Sequence, residues 1–294
     1  MVRITNLSKE PTMRTLKLYR HGMTMGTPPA KNDHLRAKRG VVEGWSESAS
    51  RRNIQFLRSV DERQLSETAD GTPIHAIAVT LTLKDCPATP DDWHRLRRAY
   101  IERLRRLGLY RSHWVTEWQR RGVPHLHGVF WFPAGVHPAH IIGHWVKLSA
   151  PYGAGVRGQH YSNLHDAIGW FKYVSKHTAR GARHYQRHPD NIPAAWLKRT
   201  GRVWGHTGDW PTQEAVEFEI SSDAFYRLRR ILRNWRIADA RAQGDFFRVK
   251  LSRRMLQSHR RELSDVRGAS EWLSMGPALQ ALDYLKAQGH EITC

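Results

Sequence analysis

Glu117, His125 and His127 fall within one short stretch, Thr116-Glu-Trp-Gln-Arg-Arg-Gly-Val-Pro-His-Leu-His-Gly128, whose spacing suits a hairpin built to hold a metal. Residues two apart on a strand project from one face, so the imidazoles of His125 and His127 stand together, about 6.6 Å apart along the chain. A three-residue loop, Arg120-Arg121-Gly122, closes the hairpin, and Gly122 is free to adopt the left-handed conformation such loops use. That register sets Glu117 directly across from His125, and cross-strand partners share a face. Two neutral imidazoles and a carboxylate then converge on one point. Such a donor set takes a divalent cation and leaves positions open for a substrate.

The second chemical candidate is a tyrosine. The segment Gly169-Trp-Phe-Lys-Tyr-Val-Ser-Lys176 puts Lys172, Tyr173 and Lys176 on one face of a helix. A phenol with a pKa near ~10 is a poor nucleophile at neutral pH, and flanking ammonium groups favour its ionised form. The same lysines suit phosphate, as do Arg120, Arg121 and Arg180. The whole chain agrees with an acidic partner. Its 294 residues carry 47 Lys and Arg against 27 acids, a formal net charge of +20, and a phosphate-rich ligand is the simplest reason to carry that self-repulsion. Twelve Trp interleaved with Arg suit stacking on unpaired bases, although most serve a core.

These residues need a scaffold. Residues 1–43 lack sustained periodicity and read as a loosely ordered basic arm, followed by a short helix over 46–60 capped by Ser46 or Ser48. Ile77, Val79, Leu81 and Leu83 alternate with small or hydroxylated residues, which predicts a strand from Ile74. Asp91 or Asp92 opens a helix that Gly108 stops. The hairpin strands, 110–119 and 123–132, follow. Then come a helix over 137–148, a helix from Asn163 to about Lys176 with Asp166 as a partial capping box, loop and short strand over 194–210, and a last strand over 214–220. From Ser222 the chain reads as helical and basic. This order predicts an α+β fold, a central antiparallel sheet with flanking helices. The expected parts are a basic N-terminal arm with a short helix (1–73), the core (74–220) and a basic helical C-terminal extension (221–294).

A His-hydrophobic-His strand followed by a Tyr-x-x-Lys helix resembles the HUH endonuclease superfamily, in particular its single-tyrosine rolling-circle replication initiators of plasmid and phage type. Three segments carry the likeness in order: Val79-Thr-Leu-Thr-Leu83, His125-Leu-His127 with Glu117 upstream, and Tyr173-Val-Ser-Lys176. Gly201-Arg-Val-Trp-Gly205 also looks like plasmid initiators. Some phage-type members place a second tyrosine four residues before the first; here that position is Gly169. The resemblance implies an HUH/RRM-like core in which Glu117, His125 and His127 hold Mg²⁺ or Mn²⁺. It further implies that Tyr173, helped by Lys176, cuts single-stranded origin DNA and stays joined to its 5′ end, leaving a 3′-hydroxyl primer and allowing rejoining. Lys172 would grip phosphate, and a host helicase and DNA polymerase would be partners.

Two other readings stay open at this point. One is a single-tyrosine HUH transposase with the same chemistry; the other is a non-catalytic nucleic-acid-binding protein with a structural His pair. Several further signals carry less. Gly153-Ala-Gly-Val-Arg-Gly158 fits a dinucleotide-binding glycine pattern but follows no buried strand. His137, His140 and His144 have helical spacing without a cysteine or acid to complete a zinc set. No phosphate-loop motif of an ATP-driven helicase occurs. Two cysteines, Cys86 and Cys294, exclude a disulfide framework and fit a reducing compartment. With no signal-type or membrane-length apolar run, the expectation is a soluble cytoplasmic protein.

Overall fold

The computed structural model describes residues 13–26, 41–179, 185–254 and 269–294. In chain order it contains a hairpin of β1 (Arg14–Tyr19) and β2 (Gly22–Gly26), helix α1 (Glu47–Ser59), β3 (Ile74–Leu81), α2 (Pro90–Arg106), β4 (Arg111–Trp118) and β5 (Pro124–Pro133). There follow α3 (Pro138–Ser149), β6 (His160–Asn163), α4 (Ala167–Ala179), β7 (Trp204–Thr207), β8 (Val216–Ile220), α5 (Ser222–Ala242), α6 (Phe246–Arg254), β9 (Ala269–Glu271), α7 (Met275–Ala287) and β10 (Ile292–Thr293). The fold is α+β, with two antiparallel sheets in two compact units: residues 37–212, and residues 1–36 together with 213–294.

The larger unit holds a five-stranded sheet in the order β6-β3-β5-β4-β7. Its central strand is β5, the His-Leu-His strand, rather than the hydroxyl-bearing β3. Alternation sends side chains to both faces, and both are covered, which is why β4 and β5 are buried along almost their whole length. On one face α2 and α3 pack through aromatic edges: Tyr100 meets Phe130 at 5.9 Å, and Trp93 meets Trp145 at 6.0 Å. Trp93 also donates to Thr116 Oγ1 at 3.2 Å. Helix α2 starts one turn-signal earlier than the acids suggest. Thr89 caps it, and Asp92 completes a reciprocal capping box.

On the other face α1, capped by Ser46, lays Phe56 over His206 and His113, at ring separations of 4.0 and 6.1 Å. His113 is fully buried and donates from Nε2 to Asn53 Oδ1 at 2.7 Å, while its Nδ1 has no hydrogen-bond partner among the described residues. A second ring proton would therefore be buried unpaired. Burial foremost, then His206 and Arg187, push the imidazole down to about 3. The unfolded chain thus binds this proton below pH ~6.5 while the folded one does not. The stability tied to neutral His113 is complete above that pH and drains away as the pH falls toward 3. Between pH 7 and 4.5 the loss is expected to be about 2–3 kcal/mol. Chemical denaturation at the two pH values checks this, with His113→Gln expected to flatten the slope; an unchanged slope in the variant refutes it.

The smaller unit departs from the expected arm and helical extension. Strand β1 pairs with β2 and with β8, β10 pairs with β8, and β9 with β2. Leu16, Leu18, Met23 and Met25 alternate along the first hairpin and are buried with Ile220, Phe225, Leu228 and Leu282 beneath α5 and α7. The alternation was present in the sequence but too short, and too far from its partners, to stand out. The strand at 216–220 accordingly belongs to this sheet and not to the core that holds the histidines. Asn163 is likewise a β6 residue opposite Ile77, not a helix start; α4 begins after Asp166, whose carboxylate accepts from Gly169 N at 2.8 Å. No helix among the described residues is long and apolar enough to cross a membrane.

Candidate metal centre and nucleophile

The hairpin closes as its spacing predicts. Gln119 N bonds Val123 O at 2.9 Å, leaving Arg120, Arg121 and Gly122 as the loop, with Gly122 at φ 78°. Glu117 lies opposite His125, and His127 lies between Val115 and Thr80 in the row across the sheet. All three candidate ligands are buried, and their donor atoms lie within 4.8 Å of one another. His127 Nε2 is 3.5 Å and His125 Nε2 4.0 Å from Glu117 Oε2.

Three neighbours aim this set. Thr80 Oγ1 lies 2.9 Å from His127 Nδ1; accepting from Nδ1–H, it leaves the Nε2 lone pair turned toward the carboxylate. The Gln186 amide lies 3.2 Å from His125 Nε2. Arg187 donates from Nε to Glu117 Oε1 at 2.6 Å, with both side chains wholly buried. Its Nη2 donates to Val174 O at 3.1 Å, and its guanidinium sits 3.7 Å over the Trp45 ring. One cation therefore ties the carboxylate to the backbone of α4 at the residue following Tyr173.

The donor set fits a divalent cation. His127 Nε2 is buried without a hydrogen-bond partner among the described residues, an arrangement that costs free energy unless something else occupies the lone pair. Octahedral ligands around a cation with ~2.1 Å bonds stand about 3 Å apart when adjacent, so small side-chain rotations suffice.

Tyr173 lies on the same face. Its ring meets the His127 ring edge-on at 5.9 Å and the Trp170 ring at 5.7 Å, and its side chain is 38% exposed, so a substrate can reach it. Burial foremost, then the Glu117 charge and Tyr185, push its hydroxyl above the ordinary phenol range. These surroundings oppose ionisation, where the sequence suggested lysines that favour it. Lys172 is exposed on α4; the side chain of Lys176, and Arg180 altogether, lie outside the described residues. Gly169, where a second tyrosine would stand, is closed off by the helix cap: a Cβ there would come 2.4 Å from Asp166 Oδ2.

The two loop arginines differ. Arg120 reaches the Tyr185 ring, 5.3 Å from its centroid. Arg121 donates to the carbonyls of Leu83 and Lys84 and to Gln119 Oε1, so it clamps the hairpin loop to the segment after β3. Of the residues that aim the site, only Thr80 carried a sequence signal, in the hydroxyl-bearing strand. Gln186 and Arg187 come from the loop after α4, where no periodicity marks them. His137 serves as the N-cap of α3, accepting from Ala139 N, and Gly153–Gly158 form two short turns.

Comparison with known proteins points the same way as the geometry. Residues 76–178 match the family described as Replication-associated protein ORF2. The chain is 50% identical over 287 residues to the replication-associated protein of Pseudomonas phage Pf3, covering 95% of this chain and 99% of the phage protein. Two provisionally named replication proteins of Xylella fastidiosa are 42% and 45% identical, over 96% and 90% of this chain and 99% and 100% of their own lengths. No solved structure matches the chain.

Proposed function

Because the chain belongs to this family of replication-associated proteins, we propose that it initiates DNA replication by cutting one strand of origin DNA with Tyr173. The observation that carries this reading is the meeting of a buried Glu117–His125–His127 set with a reachable tyrosine whose ring lies 5.9 Å from that of His127. Mg²⁺ or Mn²⁺ bound by these three residues would draw charge from a non-bridging oxygen of the scissile phosphate and orient the strand.

The Tyr173 oxygen attacks phosphorus in line. Its proton passes to solvent, the bond from phosphorus to the 3′ oxygen breaks, and that oxygen takes up a proton. One phosphodiester replaces another, so the cut end stays energised as a 5′-phosphotyrosine and can be rejoined without ATP. The freed 3′-hydroxyl primes a host polymerase, and a host helicase separates the strands. Lys176 is assigned to orient the phenol. Lys172, Arg120 and Arg180 are assigned to phosphates, while Arg121 acts through the loop it clamps. With Gly169 in place of a second tyrosine, closing a round of replication needs a nucleophile from elsewhere. The HUH single-tyrosine chemistry is thus the reading best supported by the site.

The test is direct. Labelled single-stranded origin DNA incubated with the protein and Mn²⁺ is expected to give a denaturant-resistant, protease-sensitive adduct. Chelation is expected to lower its yield at least ~10²-fold. Absence of any adduct refutes the cutting; equal yield under chelation refutes the metal.

A further inference from the structure

We propose that the cleft between α2 and the β7 edge, on the face of the sheet turned away from the metal ligands, is a second nucleic-acid contact that seats a nucleotide phosphate. Trp114 lines this cleft and Glu117 the metal centre; three residues apart on one strand, they point to opposite faces. The cleft encloses about 700 Å³, more than a bare phosphate needs and enough for a nucleotide unit. Its charge is unbalanced. Asp91 lies 3.8 Å from Arg199, and Glu102 lies 3.1 Å from Arg105. That leaves Arg97, Arg98 and Arg202 without a carboxylate among the described residues.

Arg97 is the centre of the argument. It is 7% exposed, lies over the Trp114 ring at 3.6 Å, and donates to the Arg202 carbonyl at 3.1 Å. A guanidinium held that deep is ordinarily paired. Burial, followed by repulsion from Arg202 and Arg98, pulls its pKa down to about 9, so the three cations crowd one another. An anion relieves all three at once. The turn that carries Arg202 is pinned to α2. His94 Nε2 donates to Thr200 O at 2.8 Å, and Gly201, at φ 67°, is so close to His94 that a Cβ would lie 2.1 Å from Nε2. The site is therefore built in advance, with Ile101 and the Trp114 ring offering apolar surface beside the guanidinium groups. Because β7 is the edge of the sheet, a single strand leaving the metal face around that edge arrives here. The cleft goes beyond the cutting reading and requires only a phosphate ester, from a DNA strand or a free nucleotide.

The experiment uses the full chain and the double variant Arg98→Glu/Arg202→Glu, both exposed positions. Titration of a fluorescein-labelled single strand of mixed sequence at several salt concentrations is expected to give a Kd raised at least ~10-fold in the variant. The slope of log K against log salt should fall by roughly 1–2. The melting temperature should be unchanged or raised, since repulsion is removed; Arg98→Gln/Arg202→Gln replaces the variant if it does not fold. A parallel arm adds dAMP or dTMP. Stabilisation of the wild type alone, with displacement of the strand, assigns the cleft to a free nucleotide, whereas loss of strand affinity without mononucleotide binding assigns it to DNA. Unchanged strand affinity and salt slope, together with no mononucleotide stabilisation, overturn the proposal. Adduct formation at saturating strand reports separately on Tyr173, so failure of the cutting reading leaves the cleft's own readout intact.

Discussion

Replacing Tyr173 by Phe is expected to lower covalent adduct formation and strand cutting at least ~10³-fold, while single-strand affinity stays within about twofold of the wild type. The variant removes one oxygen and leaves the ring, which contacts His127 and Trp170, so the packing of α4 is preserved. Because the side chain is only partly buried, the lost hydroxyl costs little stability. Equal losses of binding and cutting would identify a structural tyrosine and sink the nucleophile assignment. The raised pKa of this hydroxyl adds a direction. Glu117 is one of its causes, so a cation that screens that carboxylate should bring the cutting rate's alkaline rise to lower pH. A pH–rate profile at two Mn²⁺ concentrations reads this.

The second large effect is expected at Arg187. Arg187→Met removes the cation from a wholly buried pair and leaves Glu117 charged in an apolar setting. Breaking such a pair by deleting one partner costs about 3–5 kcal/mol. In chelator the variant should therefore unfold at markedly lower denaturant. Mn²⁺ should restore much of that loss, because a divalent cation supplies the missing charge, whereas the wild type should respond less. Arg187→Lys should keep most of the stability but cut the adduct rate by roughly 10–100-fold, since an ammonium cannot bridge Glu117 Oε1 and Val174 O as the guanidinium fork does. Identical Mn²⁺ responses in Arg187→Met and the wild type would remove the positioning role.

The metal hairpin was legible because everything that defines it is local. A period of two, a loop needing one positive φ at Gly122 and a short separation between Glu117 and His125 leave one register, and the paired strands adopt it. The tyrosine helix was legible from its apolar spacing, although its start was misplaced because Asn163 finds a partner in β3 that no local rule foresees. The order of the motifs was thus written in the chain. By itself the sequence determined which donor atoms share a strand face, the α+β order of elements, and the single tyrosine on its helix.

Only tertiary structure decided what holds those donors. Arg187 lies 70 residues from Glu117, and Thr80 lies 47 from His127; neither pairing leaves a periodic trace, since each arises when the chain closes around a buried charge. The same holds for the first hairpin, whose partner strand β8 lies some 200 residues away, and for Arg97, which as a sequence position is one of many arginines on a wet helix. Local geometry selects among a few backbone states and is readable residue by residue. Burial of charge is a property of the closed fold, where removal from water makes each unpaired group choose a partner wherever the chain brings one.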